Sequence, residues 1–160
     1  MSLKLVDEIK QSKPFASPET EACLNLKRTA ALFEQQLVEL LRPYGITPTQ
    51  YNVLRILRGA GSEGLCRYEV GDRLVAPGPD VTRLLDRLEK TSLISRARDN
   101  ENRRLVKATI TQAGLDLVAS LDDPIRRLHI TQLGHLGKTN VRALNELLTN
   151  ARLNPEPAVN

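Results

Sequence analysis

One stretch of the chain, residues 65–114, limits the fold more than any other: LCRYEVGDRLVAPGPDVTRLLDRLEKTSLISRARDNENRRLVKATITQAG. A short helical segment (about 68–75) runs into Ala76-Pro77-Gly78, a turn that no regular element passes through. In the helix that follows, opened by Pro79, the residues Val81, Leu84, Leu85 and Leu88 stand at i, i+3, i+4 and i+7, so one face is buried. The opposite stripe is Thr82, Arg83, Asp86, Arg87 and Lys90. Residues 93–98 and 105–110 then read as two strands, and the polar run 99–104 joins them as a hairpin tip.

The flanks are helical. Ser17-Pro18-Glu19 is a helix start, with an N-cap hydroxyl, proline at the first position and an acid in the first turn. That helix should run to about Arg42, ahead of Pro43. Its apolar stripe is Cys23, Leu26, Ala30, Phe33, Leu37 and Leu40. A helix of ~24 residues is ~36 Å long, which suggests packing beyond its own subunit. Thr47-Pro48 caps a second helix through Arg58, with Tyr51, Val53, Leu54, Ile56 and Leu57 inward. A one- or two-residue extended piece is expected at Leu65-Cys66. After the hairpin, Thr111 caps a further helix that Pro124 should kink or interrupt. A last amphipathic helix covers about 139–152, and 154–160 reads as a frayed tail. With two Phe, three Tyr and no Trp among 41% apolar residues, the core is aliphatic. The fold class is therefore mainly α with a small β-hairpin wing: a winged helix-turn-helix with N- and C-terminal helical regions. It reads as a single domain over 1–160, with a lobe at about 44–112.

The charge points to a polyanion. Between residues 93 and 107, five cations (Arg96, Arg98, Arg103, Arg104, Lys107) oppose Asp99 and Glu101, giving +3 of the net +4. Arg in the first turn of an exposed helix forks onto guanine O6 and N7, and Thr offers a hydroxyl and a methyl. A helix N-terminus can receive a phosphate, and Arg on a β-ribbon can enter a minor groove or clamp phosphates. The candidate DNA contacts are Pro79, Asp80, Thr82, Arg83 and Arg87 on the helix, with Arg96, Arg98, Arg103 and Arg104 on the hairpin. No Ser/His/Asp set, Gly-rich phosphate loop or paired carboxylates suggest an enzyme. Two cysteines make no disulfide framework, and His129 and His135 are too few for a metal site. No cofactor and no metal are expected. With no apolar run of ~18 residues, a cytoplasmic setting and no membrane are expected.

Three motifs resemble the MarR family of bacterial regulators across roughly residues 20–150. They are Gly45-Ile46-Thr47-Pro48-Thr49-Gln50-Tyr51, then Val81-Thr82-Arg83-Leu84-Leu85-Asp86-Arg87-Leu88-Glu89-Lys90, and Asn102-Arg103-Arg104 followed by Ile110-Thr111-Gln112-Ala113-Gly114. The resemblance implies a homodimer held by residues at about 1–43 and 113–153, with each recognition helix in a major groove of a palindromic operator in double-stranded DNA, often to repress. It also implies release by a small aromatic or phenolic effector, for which Arg28 and Arg55 are candidate carboxylate partners. Two positions depart from the family pattern: Asn102 replaces the usual Asp beside the wing arginines, and Ser92 stands where Gly usually ends the recognition helix. Cys23 matches the spacing of the peroxide-reactive cysteine of the OhrR branch. The tyrosines that support that thiol correspond here to Leu37 and Pro48, so a plain core cysteine, or one lining a pocket, is the expectation beside a peroxide-sensing thiol.

Overall fold

Ser17 and Pro18 begin the longest helix as their chemistry requires. In the computed structural model, which describes residues 4–153, the Ser17 hydroxyl accepts the Thr20 N–H at 3.2 Å and the helix runs over Pro18–Leu41. A four-residue helix, α1 (Leu5–Glu8), precedes this α2 (Pro18–Leu41). Next, Thr47 and Gln50 cap α3 (Pro48–Ala60) reciprocally: the Thr47 N–H donates to Gln50 Oε1 at 2.9 Å, and the Gln50 N–H donates to Thr47 Oγ1 at 3.2 Å. Two backbone donors at a helix start are thereby satisfied. The proposed tail at 154–160 lies outside the described residues.

The chain divides into two compact units between Tyr51 and Asn52, within α3. In the first unit the buried apolar residues are Leu5, Leu41, Ile46 and Tyr51. No residue of the apolar stripe of α2 is buried: Leu26 is 46% exposed, and Phe33, Leu37 and Leu40 are half-buried. Cys23 is exposed as well, which sets aside the core form of the expectation for this cysteine. Periodicity marks a face as apolar, but it does not supply the element that covers it.

The second unit carries β1 (Leu65–Cys66), α4 (Arg67–Arg73), α5 (Val81–Lys90), β2 (Ile94–Arg98), β3 (Val106–Ile110), α6 (Gln112–Leu133) and α7 (Lys138–Arg152). The strands form one antiparallel sheet in the order β1-β3-β2, with Arg96 opposite Ala108 and Leu65 also paired with Ala108. Its core is aliphatic, including Leu54, Leu57, Val70, Leu85, Leu88, Ile94, Val118 and Leu121. Arg58 on α3 forks onto Asp122 on α6 at 2.8 and 3.0 Å, tying two helices of this unit together. Asp122 is held below the ordinary carboxylate range mainly by that hydrogen-bonded guanidinium.

Two expectations about α5 and α6 are corrected. The recognition helix opens at Val81, two residues past Pro79, because the Asp80 carboxylate accepts the Arg83 N–H at 3.2 Å and so takes the N-cap position. Pro124 does not interrupt α6, which is continuous from Gln112 to Leu133. Gly114, Val118, Leu121 and Ile125 are buried along one face on both sides of the proline. The carbonyl deprived of its partner belongs to exposed Ser120, where water can serve it.

Helix α5 ends in a paired αL motif. The Leu93 N–H reaches the Leu88 carbonyl at 3.0 Å, and the Ser92 N–H reaches Glu89 at 2.9 Å. This closure needs Ser92 at φ 60°, a left-handed conformation that is costly for a residue with a Cβ. Ser92→Gly is therefore expected to raise stability by about 1 kcal/mol and the melting temperature by ~2–4 °C. A thermal melt that fell or stayed level would show that the cap costs nothing. Gly71 in α4 is less constrained than its mid-helix position suggests. A Cβ there would meet only Val81 Cγ2, at an ordinary 3.4 Å.

Candidate nucleic-acid interface

The outward stripe of α5 is Thr82, Arg83, Arg87 and Lys90, all exposed, while Leu85 and Leu88 are buried beneath it. The face read from the spacing is thus the one presented to solvent. Asp80 is exposed and Pro79 half-buried at the entry to the helix. The carboxylate of Asp80 lies 3.7 Å from Arg83 Nε in addition to capping the backbone. An anionic cap fills the place at this helix start where a phosphate was expected.

Arg96 stands apart from the other cations. Its Nη2 lies 2.6 Å from both Asp86 Oδ1 and Glu89 Oε2, and its Nε donates to Glu89 Oε2 at 2.9 Å. Its side chain is only 24% exposed. Two carboxylates of α5 thus hold β2 against the recognition helix through Arg96, which makes it a tie within the lobe. Glu89 is pulled below its ordinary value chiefly by this hydrogen bond, and Arg96 is held more firmly charged chiefly by Glu89.

The hairpin tip is built around Asp99, which the sequence reading passed over. Asp99 Oδ1 accepts the N–H groups of Glu101 (2.9 Å) and Asn102 (2.8 Å), and Lys107 Nζ sits 2.6 Å from Oδ2. The run Asp-Asn-Glu-Asn carries the signal for such an Asx turn. Asn102 in turn accepts the Arg104 N–H at 3.2 Å through its side chain, and its carbonyl accepts from Leu105. Asn102 therefore presents a neutral acceptor to the wing backbone, and the ion pair that staples the wing is the one between Asp99 and Lys107. Arg98, Arg103 and Arg104 are exposed and have no carboxylate partner among the described residues. A cleft of about 300 Å³ brings Thr82 of α5, Arg96 of β2 and Arg104 of the wing together with Cys66, Arg67 and Tyr68. Arg67, at the first position of α4, adds a cation that sequence reading missed, since nothing in its local pattern marks it.

Cys66 is buried and serves α4 locally. Its N–H and its Sγ both donate to Glu69 Oε2, at 2.8 and 2.9 Å. Arg28, in the first unit, pairs with Glu8 at 3.7 Å, and Arg55, in the second, is exposed. Among the described residues no helix is long and apolar enough to cross a membrane.

The lowered carboxylates set an acid limit on this lobe. Asp99 is depressed chiefly by its hydrogen bond with Lys107, and Lys107 is raised chiefly by Asp99. A depressed carboxylate contributes stability that is present above its ordinary value, 3.8 for Asp, and lost as pH falls through the lowered folded value. Lys107→Met is expected to make the loss of stability below about pH 4 shallower than in the parent protein. Denaturant melts from pH 6 down to pH 3 test this; parallel curves would show that the pair contributes nothing.

Comparison with known proteins agrees with this lobe. The MarR family profile matches residues 46–106. A MarR transcription factor from Planctomyces limnophilus has a crystal structure 39% identical to this chain. It matches with a TM-score of 0.66 over 85% of this chain and 98% of the other. The transcriptional repressor MdtR of Bacillus subtilis is 31% identical over 91 residues, 57% of this chain and 57% of its own length, so under two thirds of that relative is spanned. The fold also matches a Staphylococcus aureus MepR–DNA complex, with a TM-score of 0.74 at 23% identity over 81% of this chain and 94% of that one. The curated relatives are transcription regulators. With a 39% identical family member covered almost end to end, the chain belongs to the MarR family of transcription regulators.

Proposed function

We propose that this regulator reads double-stranded DNA with α5 in the major groove and the wing on the flanking backbone, and that it represses. The observation that carries this reading is the exposed stripe Thr82, Arg83, Arg87 and Lys90 on the same lobe as the unpaired Arg98, Arg103 and Arg104. Thr82 and Arg83 meet base edges, while Arg87 and the wing arginines neutralise phosphates. Pro79 and Asp80 set the entry of the helix, and Arg96 holds the helix to the wing. The working chain is one functional domain, with a DNA-binding lobe at about 44–112 and a dimerisation region at about 1–43 and 113–153.

The uncovered apolar residues of α2, and Leu147 on α7 at 67% exposure, support pairing with a second copy. A homodimer spaces two recognition helices by about one DNA turn, ~34 Å, and selects a palindromic operator. Release by a small aromatic or phenolic effector completes the reading, with Arg28 and Arg55 as candidate carboxylate partners. The test is binding of the purified protein to its own upstream DNA across a salt series. Affinity should fall linearly in log–log form with a slope of about −0.9 per neutralised phosphate. Binding that is absent, or indifferent to salt, would end this reading.

A further inference from the structure

We infer that Asp80 is a positioning residue for base recognition: it holds the Arg83 guanidinium ready to read guanine and keeps phosphate away from the start of α5. The inference rests on the DNA-binding reading above. One carboxylate serves both ends of the same residue. Oδ1 accepts the Arg83 backbone N–H at 3.2 Å, and Oδ2 faces Arg83 Nε at 3.7 Å. The main chain and side chain of Arg83 are therefore referred to a single anionic group on the same helical turn.

The geometry divides the guanidinium usefully. Arginine has five N–H donors in a rigid fork, and the Nε side is the one turned toward Asp80. The terminal nitrogens remain for a partner, and the Arg83 side chain is 79% exposed. A fork of two parallel N–H groups is what guanine O6 and N7 accept in the major groove. A long exposed arginine otherwise spreads over many rotamers, and that freedom must be given up when it binds. Asp80 restricts it beforehand.

The charge of Asp80 acts in the same direction. A helix N-terminus attracts anions through its free N–H groups and its dipole. Here a carboxylate, 60% exposed, already occupies it and faces outward. A phosphate brought to this end meets a like charge, so the backbone-bound, sequence-blind mode is penalised. Meanwhile the terminal nitrogens of Arg83, turned away from Asp80, stay available to donate to a guanine edge. The sequence shows the residues as Asp80-Val81-Thr82-Arg83, an N-cap pattern, and the specificity role emerges only from the second oxygen.

Asp80→Asn separates the two roles, because Asn caps a helix about as well as Asp while lacking the charge. Full-length parent protein, Asp80→Asn and Arg83→Ala are each used to select duplexes from a random pool, with thermal melts run alongside. Asp80→Ser serves as a second capping variant should Asp80→Asn melt early. In the parent, a guanine should be enriched at one position of each half-site, and Arg83→Ala should lose it. The Asn variant should melt like the parent, yet its guanine enrichment at that position should fall about 2- to 5-fold. Its affinity for unrelated duplex should rise. An Asp80→Asn pool with undiminished guanine enrichment and unchanged non-specific affinity would reduce Asp80 to a cap. Parent protein that enriches no sequence, and binds duplex without salt dependence, would remove the DNA-binding reading itself and this inference with it.

Discussion

Gly114→Ala is expected to destabilise the protein by about 3 kcal/mol, lowering its melting temperature by ~6–12 °C. In an ordinary helix the same change stabilises, since alanine exceeds glycine in helix propensity by about 1 kcal/mol. The sign reverses here because Gly114 sits in the first turn of α6, where it donates its N–H to the Thr111 hydroxyl at 3.1 Å. A Cβ at this place would collide with the Leu93 carbonyl oxygen and lie 2.6 Å from Ile110 Cγ1. The Leu93 carbonyl cannot simply swing aside, because it accepts the Thr111 N–H at 3.1 Å. The Thr111 hydroxyl, in turn, donates to the Ser92 carbonyl at 2.7 Å. Strain would pass from the start of α6 to the end of α5 and so to the recognition helix. Gly59→Ala is the matched control: nothing lies within 4 Å of a Cβ there, so it should stabilise slightly. A Gly114→Ala protein that melts as high as the parent would show that the start of α6 has room for a Cβ beside the Leu93 carbonyl and Ile110.

Arg83→Ala should weaken binding to a selected operator about 5- to 150-fold and relax base choice, the loss of one forked base contact worth ~1–3 kcal/mol. Arg104→Ala should weaken all duplexes to a similar extent and reduce the salt slope by about 1. Both residues are exposed, so neither change should move stability by more than ~0.5 kcal/mol. Equal loss of base preference from the two variants would contradict the proposed division between helix and wing. Arg96→Ala belongs to a different class: it frees Asp86 and Glu89 to repel each other and loosens β2 from α5, so it should lower stability and binding together.

Much of the architecture was legible because it is local. Ser17, Thr47 and Thr111 each sit where the N–H groups of a helix start lack acceptors, and the short side chain of each reaches back to accept from the backbone. The i, i+3, i+4, i+7 spacing of Val81, Leu84, Leu85 and Leu88 fixed which face of α5 turns inward, and thereby which cations face out. The strands were legible from alternation and from the polar tip between them. Pro124 misled because the helix rule counts a lost hydrogen bond. The rule does not count the buried face that continues from Val118 through Leu121 to Ile125.

The amino-acid sequence on its own determined the order of helices and strands, their caps and faces, and the cationic outer surface of α5 and the wing. Each of these depends on residues within a few positions of one another. Tertiary structure alone decided that Arg96 is consumed by Asp86 and Glu89, that Lys107 staples Asp99, and that Gly114 must lack a side chain. It also left Cys23 exposed on a face that the spacing had marked as apolar. These outcomes depend on which distant residues meet in space. Periodicity assigns a side chain to a face, and only the packed chain supplies what that face meets.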